Sequence, residues 1–238
     1  MKRKILDRRG TLFCGEQNKV NVTNYMIFID ALKGLNVLPS VNKGVGFNIK
    51  PDGSVSQEEI LSLDFSGLDD PTFKISFGPG RIDISSSNPE ISMELFMEKM
   101  KKVVDALKCI YIEGYIRYAL CATIMFEVDS DNLNKAYELF MKNDKGESPI
   151  EWSIRKVLRT RLVEAEYAVD INNVYTVSRG MFQRPEMLPI DALILEQDIN
   201  TVMGADINSL SYLQKSFFVE AAKKIEESSD EYLEFFNR

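Results

Sequence analysis

Hydrophobic and polar residues alternate with a period of two near the middle of the chain. Every even position from 116 to 128 is apolar, whereas the intervening positions include Arg117, Thr123 and Glu127. Such alternation places one face of a strand on a core and leaves the other face more polar. We therefore expect a strand at Ile110–Val128 that belongs to a sheet with one covered face.

Apolar residues at helical spacing predict two long helices. One begins at Asn88-Pro89-Glu90, because Asn is a good N-cap and Pro suits the first helical position; its apolar positions are Met93, Phe96, Met100, Val103 and Leu107. The other begins near Asn208, and its stripe is Leu210, Leu213, Phe217, Ala221 and Ile225. The segment Glu226–Arg238 either extends this helix or docks loosely. Shorter helices are predicted at 22–33 and 131–142.

Turn residues divide the remaining segments into strands. Asp-Gly, Asp-Pro and Gly-Pro-Gly sequences separate strands at 44–50, 60–65, 73–77 and 81–85. In the second half, strands are predicted at 157–171, 174–182 and 191–199. Asn172-Asn173 is the predicted tight turn between the first two, since Asn tolerates positive φ.

Each half of the chain thus has the order strand, helix, three or four strands, helix. This order predicts an α+β fold with antiparallel sheets packed on helices, built from a duplicated β-α-β(3-4)-α unit or from two unrelated halves. The expected boundaries are a flexible N-terminal arm at 1–9, a first half at 10–108 and a second half at 109–238. The two halves are expected to form one continuous structure.

The chain contains no histidine, which excludes several kinds of catalytic site. Ser-His-Asp triads, Cys-His pairs and His-containing zinc sites all need imidazole. A metal-dependent nuclease core needs Glu-x-Lys or Asp-x-Lys, and neither triplet occurs. We expect no cofactor and no bound metal. A Mg²⁺-dependent nuclease or phosphohydrolase that uses other carboxylates is kept as an alternative.

The net charge, the apolar stretches and the cysteines indicate which partners and which cell compartment to expect. A net charge of −7 disfavours broad contact with nucleic acid, and it raises a second alternative, an acidic inhibitor that mimics nucleic acid. The longest apolar stretch, Tyr115–Val128, contains charged residues, so no membrane span is expected. Three cysteines without a CxxC pair indicate reduced thiols and a cytoplasmic protein.

Basic residues on the predicted strands are the candidate binding site. The main local cluster is Arg155, Lys156, Arg159 and Arg161. If Arg159 and Arg161 share an open sheet face with Arg117 and Arg179, the four arginines would bind a carboxylate or a phosphate. The competing interpretation pairs them across strands with neighbouring glutamates.

Two pairs of adjacent phenylalanines are the candidate interface. Phe217-Phe218 and Phe235-Phe236 place aromatic rings on more than one side of the last helix. Apolar rings outside the core-facing stripe are typical of a surface that packs against another subunit. The expected partner is therefore another protein or a second copy of the chain.

Two resemblances add to these expectations. The doubled element order resembles the saddle of the TATA-box-binding protein, as a fold analogy without a functional implication. Residues 82–84, the helix at 88–108 and the strand with Arg117-Tyr118 are similar to a family of uncharacterised bacterial proteins, although Ala119-Leu120 stands where that family has an Asn. The second resemblance implies a bacterial or phage origin. The expected function is a non-catalytic protein-binding or assembly module, in a bacterial or phage conflict system.

Overall fold

The computed structural model describes most of the chain. The described residues are 2–14, 20–49, 53–110, 115–140, 149–183 and 189–237. Within these ranges, the description excludes the side chains of residues 48–49, 58–60, 130, 139–140 and 235–237.

Nine strands of the described residues form one open antiparallel sheet. Their order across the sheet is β2-β3-β4-β5-β1-β6-β9-β8-β7. The strands are β1 Lys2–Phe13, β2 Val37–Ile49, β3 Val55–Gly67, β4 Phe73–Gly78, β5 Arg81–Ser86, β6 Arg117–Glu127, β7 Trp152–Glu164, β8 Tyr167–Phe182 and β9 Ile190–Thr201. The predicted α+β class with antiparallel pairing is confirmed.

Four helices pack against the same face of this sheet. They are α1 Tyr25–Leu32, followed by a single 3-10 turn at 33–35, α2 Met93–Leu107, α3 Ser130–Phe140 and α4 Ile207–Asn237. Ring contacts join three of them to the strands: Phe28 to Phe77 at 5.0 Å, Tyr137 to Trp152 at 6.2 Å, and Phe218 to Tyr118 at 5.5 Å between centroids. In α2, Met100 lies directly over Gly10, where a Cβ atom would be only 2.2 Å from its sulfur.

Both halves have the predicted order of elements. The first runs β1, α1, β2–β5, α2, and the second runs β6, α3, β7–β9, α4. The first strand of each half lies at the centre of the sheet, where β1 pairs with β6, and β2 and β7 are the outermost of the described strands. The halves therefore share one sheet and one core; their origin by duplication stays a prediction.

The N-terminal segment is part of the sheet and not a flexible arm. Strand β1 begins at Lys2, which pairs with Glu127, and the pairing with β6 continues to Phe13 with one irregularity between Ile5 and Asp7. The sequence suggested an arm because charged residues dominate these positions. Their aliphatic stems and paired backbone suit a central strand once the neighbouring strands are present.

The turn predicted at Asn172-Asn173 is wrong. Strand β8 runs through both residues, and the β7–β8 hairpin turns at Ala165-Glu166, with Ala165 at φ 53°. The two asparagines bond across strands instead: the side chain of Asn172 donates to Asn200 at 3.3 Å, and that of Asn173 accepts from Gln197 at 3.1 Å. Asparagine is tolerated within a strand when its amide has such partners.

Helix α2 begins about one turn later than the sequence predicts. Helix α2 begins at Met93, because the Ser92 hydroxyl accepts a hydrogen bond from the Leu95 backbone N–H at 3.1 Å. Asn88 forms the turn before it, where its side chain accepts from the Glu90 N–H at 3.0 Å.

Helix α4 continues through the C-terminal segment to Asn237, so the segment from Glu226 onward extends this helix. Among the described helices, none is long and apolar enough to cross a membrane.

Candidate partner-binding surface

The face of the sheet opposite the helices is called the open face. Side chains alternate between the two faces of a strand, so the strand register shows which residues lie on the open face. These are the odd positions of β1 (7–13), β6 (117–127) and β7 (153–163), and the even positions of β9 (192–200) and β8 (170–182). The first half contributes the residues in register with these on β5, β4 and β3. The four helices leave this face of the sheet uncovered.

A row of polar residues crosses the centre of the open face. Arg9, Cys121 and Asp198 are direct neighbours on β1, β6 and β9. Two residues further along β1, Thr11 donates to Asp83 at 2.6 Å, and near the start of β1 the Lys4 ammonium lies 2.6 Å from Glu127. The polar groups at the centre thus largely satisfy one another, which allows this face to remain in water.

The Cys121 thiol in this row is not a nucleophile at neutral pH. Burial and the neighbouring Asp198 carboxylate raise its pKa to about 12, and Arg9 offsets only part of that shift. The thiolate is the reactive form of cysteine, and it is scarce when the pKa is so high. The residue therefore contributes packing and hydrogen bonding rather than covalent chemistry.

We expect iodoacetamide to alkylate Cys121 far more slowly than the exposed Cys109 at pH 8. With a pKa of about 12 for Cys121, roughly one thiol in ten thousand is ionised at that pH. Mass spectrometry of peptides from the native protein measures both rates. Asp198→Asn is the informative variant, because loss of the carboxylate lowers the Cys121 pKa and speeds its alkylation. Equal rates at Cys109 and Cys121 would contradict the raised pKa.

Three of the four candidate arginines lie on the open face. Arg117 donates from Nε to the Thr201 carbonyl at 3.0 Å, and its guanidinium stands 4.9 Å from the Phe13 ring centroid. Arg159 donates to the Asn172 side chain at 3.0 Å. Arg161 lies 3.9 Å from Asp170, and both side chains are largely exposed. Arg117 is thus held in place, whereas Arg159 and Arg161 have loose neighbours on β8.

Arg179 lies on the helix-covered face, so the expected cluster of four arginines is wrong. It pairs in register with Trp152, and its side chain is only 10% exposed. The guanidinium bonds Asp191 through two nitrogens, at 2.7 and 3.2 Å, and donates to the Pro149 carbonyl at 3.2 Å. The odd position of Arg179 in β8 decides this, because odd positions of that strand face the helices.

Phe217 and Phe218 belong to the core and not to an interface. Both are buried, and their rings lie 5.9 and 5.5 Å from the Tyr118 ring. Two adjacent positions on α4 are both covered because the helix rests on the middle of a broad sheet and also contacts α2. The side chains of Phe235 and Phe236 lie outside the description, so their predicted interface role stays a prediction.

The sequence identified the basic residues of β7 but not the place of this strand in the sheet. Among the strands that the structure describes, it pairs only with β8 and forms one edge of the sheet. Between residues 152 and 163 it carries four cationic side chains and no acidic one, and every residue from Arg155 to Arg161 is exposed. The sequence identified the basic cluster, but strand order, which no local pattern encodes, placed it on an edge.

Neither the protein-family models nor the curated proteins include a match to this chain. Within the described parts of the chain, no group of three or more Cys, Asp or Glu side chains is placed to hold a metal ion. The geometry of the open face and of its β7 edge is what supports a functional inference.

Proposed function

We propose that this chain is a non-catalytic protein-binding module that presents the open face and the β7 edge of its sheet to a partner. The supporting observation is the separation of charge. The chain has a net charge of −7, and α4 on the covered side carries six acidic and three basic residues. The β7 edge is locally basic instead. Opposite charge on two sides of one molecule steers and orients a charged partner.

Exposed apolar side chains lie among these cations. On the open face, Val157 and Val163 are 47% and 61% exposed, and they share this side of β7 with Arg155, Arg159 and Arg161. Apolar contact area combined with arginine is typical of protein interfaces. The resemblance stated above suggests a bacterial or phage conflict system as the setting of this interaction, and we retain that setting as part of the proposal.

The proposal is tested by capturing partners from cells of the source with the tagged chain and two variants. In the open-face variant, Thr123→Arg and Thr176→Arg place long side chains on either side of Glu196, with which both threonines are in register. In the control variant, Lys215→Glu and Val219→Arg change exposed positions of α4. We expect a stoichiometric complex, measured by light scattering, that only the open-face variant loses.

Two results would overturn the proposal. One is a complex that the open-face variant retains and the α4 variant loses, because the partner would then bind the helices. The other is turnover of a nucleotide or nucleic acid by the purified chain, accompanied by a Mg²⁺-dependent rise in its melting temperature, since a ligand that binds the native state stabilises it. That result would favour the carboxylate-dependent enzyme instead.

A further inference from the structure

We propose that the β7 edge accepts an extended acidic peptide segment of the partner as an additional strand of the sheet. This inference rests on the proposed function and names the chemistry of the partner. Strand addition supplies affinity through main-chain hydrogen bonds and specificity through alternate side chains. Both elements are present along the 13 residues of β7.

The backbone of β7 has a row of groups that point away from the sheet. Glu164 and Tyr167 close the two-residue turn of the β7–β8 hairpin, and the closing pair of such a hairpin is hydrogen-bonded. Hydrogen-bonded and non-hydrogen-bonded pairs then alternate, so odd positions from 153 to 163 direct their N–H and C=O groups to the free edge. The Val202 N–H bonds the Asp170 carbonyl at 2.9 Å, which confirms that even positions of β8 face β9 and odd ones face β7.

The side chains of β7 define which strand fits. Odd positions place Arg155, Arg159 and Arg161 on the open face. A strand added beside them would have its own open-face side chains opposite these arginines, and acidic residues at every second position satisfy that arrangement. On the other face, Leu158 is 42% exposed, so apolar residues suit the intervening positions.

The arginines of β7 are available to such carboxylates. Arg155 forms no ion pair with any residue that the structure describes, and Arg161 makes only the 3.9 Å contact with Asp170. Arg159 shares one nitrogen with Asn172. An arginine keeps further N–H donors after one such bond, and paired donors match a carboxylate in a bidentate geometry.

Other occupants fit this edge less well. A second copy paired through β7 would bring arginines close to arginines, which is destabilising. Single-stranded nucleic acid binds by stacking its bases on aromatic side chains, and the only aromatic residue of β7, Trp152, is buried. Charged residues also protect free edges against aggregation, and the test must separate that role from binding.

The probe is a fluorescein-labelled peptide with the sequence Glu-Val-Glu-Val-Glu-Val-Glu, titrated with the full chain and followed by anisotropy. We expect saturable binding that weakens as salt is added. Reversal of charge at three sites, Arg155→Glu, Arg159→Glu and Arg161→Glu, should weaken binding by roughly tenfold or more. The matched control reverses three exposed lysines of the helices, Lys102, Lys215 and Lys223, and should change affinity by less than about twofold.

The peptide itself is varied to test strand pairing. N-methylation of the glutamate nitrogens removes the backbone donors that face β7 when each glutamate lies opposite an arginine in an antiparallel pair, without changing charge, and we expect it to abolish binding. N-methylation of the valine nitrogens, which face away from β7, is the matched control and should leave binding largely unchanged. The charge-reversed chain keeps a charged edge, so it should keep the oligomeric state and the circular dichroism spectrum of the native chain, which separates binding from protection against aggregation.

Four outcomes would overturn the inference: no binding of the acidic peptide, equal binding of its form N-methylated at the glutamates, tighter binding of oligo-dT, or a dimer of the chain that the three reversals dissociate. If the cellular complex survives the β7 reversals and is lost only with Thr123→Arg and Thr176→Arg, this inference fails while the proposed function stands.

Discussion

Truncation of Phe217 to alanine should lower the free energy of unfolding by about 3–5 kcal/mol, the usual cost of removing a buried aromatic ring. The Phe217 side chain is fully buried between α4 and the sheet. Its ring contacts Tyr118 at 5.9 Å and Phe218 at 5.0 Å between centroids, and alanine would leave a cavity among them. Urea denaturation followed by circular dichroism measures the loss.

Val219→Ala is the matched control on the same helix. Val219 is 59% exposed, so its truncation should change the free energy of unfolding by less than about 0.5 kcal/mol. The aromatic pair was a candidate interface in the sequence, and the experiment separates the two roles. A Phe217→Ala protein of unchanged stability that converts from an oligomer to a monomer would show that the ring faces a partner.

Replacement of Arg8 by alanine should cost about 3 kcal/mol of folding stability, because charged hydrogen bonds and packing are lost together. Arg8 is 1% exposed and lies on the covered face of β1. Its guanidinium donates to the Asn88 carbonyl at 3.1 Å and also to the Ile91 carbonyl, both in the segment that leads into α2. Burial lowers the pKa of Arg8, and the Asp7 and Glu226 carboxylates partly offset this shift.

Two further variants assign the cause of that loss. Arg8→Met keeps most of the side-chain volume, and we expect it to remain about 2 kcal/mol less stable than the native chain because both carbonyls lose a charged donor. Arg155→Ala removes an exposed arginine and should change stability by less than about 0.5 kcal/mol. Full stability of the Arg8→Met protein in urea would show that only the volume at this position matters.

The elements with one-sided burial were the easiest to predict. The even positions of β6 from 118 to 126 are all buried, and so is the whole predicted stripe of α4 from Leu210 to Ile225. The spacing of hydrophobic residues indicates burial directly, because the residues on the covered side of a helix or a strand recur with the period of that element. The central strand β1 was partly missed, since its buried positions include Arg8 and Gly10, which carry no apolar signal.

The candidate site was predicted less well because it depends on strand register. Arg159 and Arg179 are both at odd positions, yet they lie on opposite faces, since the two-residue turn of the β7–β8 hairpin pairs odd positions of β7 with even positions of β8. A shift of one residue in register moves every side chain of a strand to the other face. The turn residues misplaced the hairpin along the chain, whereas the face of Arg179 follows from the pairing of odd with even positions.

The residue pattern by itself determined the α+β class, the order of the elements and most of the buried positions, because propensity and periodicity act over a few neighbouring residues. Only the tertiary structure decided that residues 2–9 lie in the sheet, that Phe218 is covered and that the basic cluster lies on the outermost of the described strands. Those outcomes depend on which distant strands and helices become neighbours. That choice is made by packing of the whole core, and it has no local signature along the chain.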